Sequence, residues 1–394
     1  MSHACNVALL GQKFMGRAHS NAYSKAPRFF NVPVTPVMHT IVGLDLISLA
    51  PFADRWGWKQ YSTSWKEVVK DAAIDLVDVS TPNHMHDEQA IMALGAGKHV
   101  ACEKPLGASL KDARAMRNAA AKTRKCKTFV WFNYRRCPAV ALARELAQEG
   151  RLGRIYHVRA RYLQDWGGPD TPLTWRFLKK YAGSGAHGDL NAHAIDLARF
   201  ITGQNITEVS GAIAETFIPE REVIEKPKRG GRSSVRKRKT MGKSDVDDCT
   251  LFLAKMEHGT VATFEATRLA PGNQNGLSIE INGEAGSIRF SFEDMNLLWF
   301  YDNTDEARLA GWRRIMCTSA GNHPYAGAWW PDGHVLGYEH TFVNMAADIM
   351  AVLAGEEPIV PLPNFADAYE TQRVLEAALL SAKHRSAVKL SEVK

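Results

Sequence analysis

The sequence predicts an α/β fold in which a doubly wound parallel sheet is followed by an α+β domain with an open, mostly antiparallel sheet. Three observations carry this. Short apolar runs alternate with amphipathic stretches through the first third of the chain, the pattern of buried parallel strands covered by helices on both faces. After about residue 134 the apolar runs follow one another directly, some across glycine-containing turns, as antiparallel strands do. The 394 residues also exceed the ~250–300 that one core usually holds. The domains are therefore expected at 1–133 and 134–394.

The elements follow in order. Apolar runs at 7–10, 41–44, 74–80, 99–102 and 128–132 are the expected parallel strands, ending near Gly11, Asp45, Thr81, Glu103 and Asn133. Helices are expected between them at 16–26, 64–71, 86–96 and 109–123. Residues 26–37 contain Pro27, Pro33 and Pro36 and read as an inserted loop before the second strand. In the second part a helix at 138–150 leads to a strand at 155–163, where Tyr156, Val158 and Ala160 alternate with His157, Arg159 and Arg161. A helix at 185–202 closes at Gly203, strands are expected at 246–256, 260–268, 277–282, 287–292 and 297–301, and helices at 340–353 and 365–384 end the chain.

Charge and cysteine usage narrow the function classes. The net charge is +7, which suggests a polyanionic partner until it is located. Residues 225–244 hold nine basic side chains against the single acid Glu225, so this stretch carries +8 and the remainder −1. The stretch has no aromatic residue and so lacks platforms for stacked bases. It reads as a solvated excursion, with no nucleic-acid partner expected. The six cysteines form no CxxC pair and read as thiols of a reducing compartment. With no secretory signal pattern and no membrane-length apolar run, a cytoplasmic protein without membrane contact is expected.

The first strand runs into Gly11-Gln12-Lys13-Phe14-Met15-Gly16, which is similar to the GxGxxG turn that seats a pyrophosphate on a helix N-terminus. Lys13 stands at the middle glycine position. Asp45 comes 29 residues after Gly16, at the end of the second strand, where an acid accepts from ribose hydroxyls and repels a 2′-phosphate. The proline segment accounts for the spacing, and the pattern favours NAD over NADP in a Rossmann-like domain. Lys104 follows the fourth strand, at the edge where such sheets bind ligands. There it is either a catalytic cation for a developing oxyanion or a surface partner of Glu103. Asp189 and His193 are four residues apart on an expected helix and share a face. They are either a carboxylate-oriented general base or a surface pair.

At these residues the chain resembles the Gfo/Idh/MocA oxidoreductases over nearly its whole length. The resemblance rests on residues 11–19, on Thr81-Pro82-Asn83-His84-Met85-His86, and on Glu103-Lys104-Pro105-Leu106. It continues through Asn133-Tyr134-Arg135, residues 188–196 and Val246-Asp247-Asp248. It implies that Lys104, Asp189 and His193 are catalytic. His193 would take the hydroxyl proton, Lys104 would polarise the same oxygen and Asp189 would orient or relay to His193. It also implies that Thr81, Pro82, Asn83, His86, Glu103 and Lys104 surround the nicotinamide ribose, beside Gly11, Lys13, Phe14, Met15, Gly16 and Asp45. Asn191 replaces the usual glycine between Asp189 and His193, and His187 is an added candidate near the site.

Residues 162–166 and 173–176 are similar to a subgroup acting on glycosides or anhydrosugars. Trp166 and Trp175 would stack on a sugar ring while Asp165 and Arg176 bond its hydroxyls, or the tryptophans merely pack the loop. Tyr134, His187 and His340 complete the expected substrate contacts, the last in an aromatic loop with Trp329, Trp330 and His334. No metal is expected. The leading expectation is NAD-dependent oxidation of a secondary hydroxyl of a small neutral sugar, glycoside or polyol by a homo-oligomer, a dimer or tetramer. Redox-neutral glycoside cleavage through transient oxidation, and a catalytically silent nucleotide-sensing binding protein, are the alternatives.

Overall fold

The structure is a computed structural model that describes residues 3–224 and 240–393. Strands β1 (His3–Leu10), β2 (Val34–Val42), β3 (Gln60–Ser62), β4 (Leu76–Val79), β5 (His99–Cys102) and β6 (Thr128–Val130) form one sheet in the order β3-β2-β1-β4-β5-β6. Every pairing in it is parallel. The strand order reverses between β1 and β4, which opens a crevice at their carboxyl ends. Val7, Leu9, Val77 and Val100 are fully buried, which is why these runs show no polar alternation.

Residues 26–37 are not an inserted loop. The first helix spans Phe14–Phe29 and β2 already starts at Val34. Pro27 lies near the helix end, where few backbone bonds are disturbed. Pro36 lies where β2 has only β1 beside it, because β3 pairs with residues 40–42 alone, so one edge there requires no N–H. The wide spacing from Gly16 to Asp45 is thus a longer helix and a longer strand. The helix Leu46–Trp56, unforeseen from sequence, contains Pro51. The carbonyl that Pro51 cannot bond belongs to Ile47, which is 85% exposed and open to water.

The later strands are β7 (Ile155–Leu163), β8 (Ile206–Glu215), β9 (Glu220–Glu222), β10 (Met241–Lys243), β11 (Cys249–Met256), β12 (Val261–Thr267), β13 (Gly276–Gly283), β14 (Gly286–Ser291), β15 (Leu297–Asp302), β16 (Arg313–Met316) and β17 (Val388–Lys389). They include a nine-stranded sheet, β16-β15-β14-β13-β7-β12-β11-β8-β17, antiparallel except where β12 meets β7. Burial alternates along β11 and β12. Phe252, Ala254 and Phe264 pack with Leu197 and Leu375 of the helices Ala192–Thr202 and Phe365–His384, while Leu251 and Leu253 face outward. The helix Tyr338–Leu353 returns to the first sheet, where Phe342, Val343 and Ile349 join the core around Val7, Leu9 and Tyr23.

β9 and β10 form a hairpin, and the basic residues 225–239 between them lie outside the described residues. Among the described residues no helix is long and apolar enough to cross a membrane.

Candidate active site

A cleft of about 580 Å³ follows the carboxyl ends of β1, β2, β4 and β5. Its floor is built by two close approaches. Gly11 has φ +116°, and a Cβ on it would stand 2.7 Å from Ser80 Oγ. A Cβ on Gly16 would meet the Gly11 carbonyl at 2.2 Å. Only glycine fits either place. Lys13 has φ −80°, which any residue adopts, so the turn forms around it with its side chain exposed. Lys13, Phe14 and Met15 bring the free amides of the helix start to the cleft.

Asp45 caps the helix Leu46–Trp56: its carboxylate accepts from Ser48 N at 2.9 Å and Ser48 Oγ at 2.6 Å. These bonds hold the acid below its ordinary range and keep it ionised in the cleft. Leu44 beside it is 92% exposed, an uncovered apolar surface for a flat ring. Thr81, Pro82 and Asn83 form the facing wall, and Asn83 Nδ2 donates to the Ala182 carbonyl at 2.9 Å. His86 does not line the cleft. It is buried between the carbonyls of Thr81 and Pro105 at 2.9 and 3.1 Å and braces one wall against the other, with burial lowering its basicity. A glycine-floored amide cradle, an ionised acid after the second strand and an apolar shelf fit a dinucleotide.

At its inner end the cleft joins a pocket of about 350 Å³; Phe14, Met15, Glu103, Lys104, Arg176 and Asp189 line both. Lys104 Nζ donates to the Asp189 carbonyl at 2.8 Å and to Asp189 Oδ1 at 2.9 Å. An ammonium has three protons, so one remains for a ligand oxygen. Arg268 Nη2 donates to Asp189 Oδ2 at 2.8 Å. Burial works against the Asp189 charge, but Lys104 and Arg268 prevail and hold the carboxyl well below its usual range.

The expected Asp189–His193 pair does not form. The helix opens with a π turn, His187–Asn191, before the α-helix Ala192–Thr202, and the two cations take both carboxylate oxygens. His193 is 5% exposed, stacks on Tyr134 with centroids 4.4 Å apart and makes no hydrogen bond to a described residue. Burial, then Lys104, holds its ring well below the usual imidazole value. A neutral ring facing the pocket is a proton acceptor. Asp196 lies away from it, accepting from Arg135 Nε at 2.8 Å.

The pocket wall is a directed chain of neutral groups. Tyr162 Oη donates to Asn275 Oδ1 at 2.5 Å, so Tyr134 Oη, 2.9 Å from Tyr162 Oη, must be the donor in that contact. The Tyr134 oxygen keeps its acceptor side free, and burial raises its phenol well above the usual value. Gln164 Nε2 donates to the same Asn275 oxygen at 3.0 Å.

Arg268, Asn275 and Tyr338 escaped the sequence reading, and Tyr162 and Gln164 fell within the quoted segment 162–166 without being given a role. Their common signal is a place at or just beyond a strand end or helix start, beside the motif residues in space.

Other sequence candidates sit elsewhere. Asp165 is exposed and lines neither cavity. Trp166 donates to Gln164 Oε1 at 2.6 Å and covers Arg268, supporting the wall from behind. Trp175 lines the long cleft and not the pocket. His187 is buried behind the site, its Nε2 on the Leu375 carbonyl at 2.9 Å and its Nδ1 facing Asn191 Nδ2 at 3.1 Å. Asn191 therefore fixes the His187 tautomer. His340 accepts from Gly337 N at 3.0 Å and packs on Trp329, which contacts Phe29 instead of closing the pocket. Among the described residues no group of three His, Cys, Asp or Glu is placed to hold a metal.

Comparison with known proteins places the chain in a family. The model of the oxidoreductase family with an NAD-binding Rossmann fold matches residues 5–132, and that of the GFO/IDH/MocA C-terminal domain matches residues 140–289. Levoglucosan dehydrogenase of Pseudarthrobacter phenanthrenivorans is 38% identical over 98% of each chain. A solved levoglucosan dehydrogenase in complex with NADH and levoglucosan has TM-score 0.91 at 38% identity, covering 99% of this chain and 100% of that one. An oxidoreductase domain protein from Kribbella flavida has TM-score 0.92 at 45% identity, covering 99% of this chain and 100% of that one. The cradle, the acid and the Lys104–Asp189–His193 cluster thus belong to a member of the Gfo/Idh/MocA oxidoreductases, an NAD-dependent enzyme of the sugar dehydrogenase class.

Proposed function

We propose that the substrate is a small neutral anhydrosugar or glycoside, oxidised at a secondary hydroxyl. The carrying observation is the pocket wall of phenols and amides, Tyr134, Tyr162, Gln164 and Asn275, groups that exchange hydrogen bonds with sugar hydroxyls without asking for charge. Asp189 pairs with two of the nearby cations, Lys104 and Arg268, and offsets one of their two charges, leaving one for a developing oxyanion. Levoglucosan, which a relative acts on, carries only secondary hydroxyls and fits this chemistry.

NAD, when bound, supplies the hydride acceptor. The Lys104 Nζ proton left free by Asp189 bonds the substrate oxygen and stabilises its developing charge. A His193 ring nitrogen takes the hydroxyl proton. Asp189 holds Lys104 in place and does not touch His193. Incubating the protein with NAD and levoglucosan, other anhydrosugars or aryl glycosides, and following NADH together with free aglycone, tests this. NADH must accumulate; aglycone release without NADH would replace this reading with redox-neutral cleavage.

Three further expectations attach to this reading. Asp45→Ala should weaken NAD binding about tenfold and admit NADP, because ribose acceptance and 2′-phosphate repulsion are lost together; cofactor titrations with both dinucleotides would measure it, and unchanged discrimination would count against Asp45. The basic stretch is separable from its base. Leu173 N donates to the Glu222 carbonyl at 2.8 Å, and Arg221 Nη2 donates to the Gly167 carbonyl at 2.9 Å, so the hairpin tethers the segment carrying Trp175 and Arg176. Deleting 225–239 and rejoining the hairpin should leave NADH formation within about twofold, whereas deletion through Lys243 removes β10 and should slow it severalfold more. Equal rates for the two deletions would contradict this. Last, the outward face of the nine-stranded sheet supports a homo-oligomer: Ile213 and Leu253 are each 53% exposed on it. Light scattering that gave a monomer would remove that expectation.

A further inference from the structure

Beneath the inner end of the cleft lies a buried charge cluster that the steps above do not use. His19, on the helix Phe14–Phe29, is fully buried. Its Nδ1 lies 2.9 Å from Asp78 Oδ2 and its Nε2 lies 3.0 Å from Glu103 Oε1. A ring between two carboxylates donates from both nitrogens only when protonated. Burial opposes that charge, but Asp78 and then Glu103 outweigh it and raise His19 to about 9.

The remaining groups around the ring are uncharged. Tyr23 Oη donates to Asp78 Oδ2 at 2.8 Å and Trp131 Nε1 to Asp78 Oδ1 at 2.9 Å. The rings of Trp131 and Phe342 pack on His19 at 4.1 and 5.7 Å. The Cys102 thiol, beside both acids, is pushed well up by burial and stays protonated. Asp78 therefore has three side-chain donors, counting His19. Glu103 has His19 and one backbone N–H, that of Lys104 at 3.0 Å. Of the two acids, Glu103 alone lines the cleft and the pocket.

We propose that His19 is a positioning residue for the nicotinamide end of the cleft: clamped between Asp78 and Glu103, it keeps the Glu103 carboxylate charged and aimed, and so sets the preference for the oxidised, cationic nicotinamide over the reduced, neutral one. This rests on the nicotinamide lying beside Lys104 and His193, where the substrate hydroxyl is oxidised. Two buried carboxylates that lose the cation between them cannot both stay charged. Asp78 keeps its charge because Tyr23 and Trp131 still donate to it. Glu103 takes up the proton, and its attraction for the cationic ring disappears.

Calorimetric titration of NAD+ and NADH into the cofactor-free protein reads this without turnover. In His19→Gln at about pH 7, the ratio of the NAD+ to the NADH dissociation constant should rise about tenfold, the size of one lost charge contact. The preference should return once pH is raised far enough to remove that proton, while in the wild type, where His19 keeps its own proton up to about 9, the ratio stays level to about pH 8. Tyr23→Phe, which removes a donor to Asp78 and leaves Glu103 alone, should lower thermal stability without moving the ratio. Glu103→Gln should move it at least as far as His19→Gln does, because it removes the carboxylate charge and keeps the His19 cation, and the double variant should match His19→Gln. An unchanged ratio in folded His19→Gln, or equal weakening of both cofactors at every pH, would overturn the proposal. If His19→Gln does not fold, an unchanged ratio in Glu103→Gln overturns it equally. Failure of the wild type to bind either cofactor would instead remove the placement on which the proposal rests.

Discussion

Replacing His193 with alanine is expected to slow sugar oxidation about 10²–10⁴-fold, the usual contribution of a positioned general base. Tyr134 and Tyr162, the pocket's other protic side chains near that ring, are held protonated by burial and cannot replace it as acceptors. Cofactor binding should change far less than the rate, since His193 lines the pocket and not the long cleft. Initial rates with NAD and a turned-over sugar, beside NADH titration of the same variant, separate the two effects. The wild-type pH profile carries a second signature. Only the neutral ring accepts a proton, so activity falls as pH drops through the His193 value. Burial and Lys104 depress that value, so kcat/KM should stay level down through about pH 6.5, the ordinary imidazole value, and decline only below it. An acid limb at or above the ordinary value would refute the assignment.

Lys104→Met should cost about 10²–10³-fold in kcat, as losing one preorganised donor to a developing oxyanion does. Asp189 would keep Arg268 as a partner, so the pocket should not collapse, and a melting temperature near that of the wild type is expected. The variant should also move the acid limb upward. Lys104 lowers the His193 value while Asp189 raises it, so removing the lysine leaves burial opposed by a carboxylate that Arg268 alone still pairs. A loss of rate with no movement of that limb would mean that Lys104 and His193 do not share the pocket electrostatically.

The first sheet was readable from sequence because its signals are local. A fully buried strand needs only a short apolar run, and Gly11, Asp45, Thr81 and Glu103 interrupt those runs near the carboxyl edge where the cleft forms. The elements missed there were those that break a local rule with a non-local remedy. Pro36 is tolerated because β3 is short, and Pro51 because Ile47 faces water. Helical spacing suggested that Asp189 would orient His193. That inference considered one helix and neglected Lys104 and Arg268, which approach from other elements and compete for the carboxylate with full charges. His187 and His340 carry the right side chains for a site, but His187 is held between the Leu375 carbonyl and the Asn191 amide and His340 caps its own helix at Gly337 N.

The order of strands and helices, the glycine turn, the acid after the second strand and the confinement of positive charge to one stretch were all written in neighbouring residues, because they depend on period, φ and composition. Tertiary structure alone decided which side chains share a cavity. It brought Asn275, from the start of β13, to Tyr162 on β7, and Tyr338, from the helix that returns to the first sheet, over Phe14. It also set His19 between Asp78 and Glu103, which are 59 and 84 residues further along the chain. Proton affinity follows from desolvation and from charges within a few ångströms. Both are properties of the packed chain, and the order of residues specifies them only through the fold.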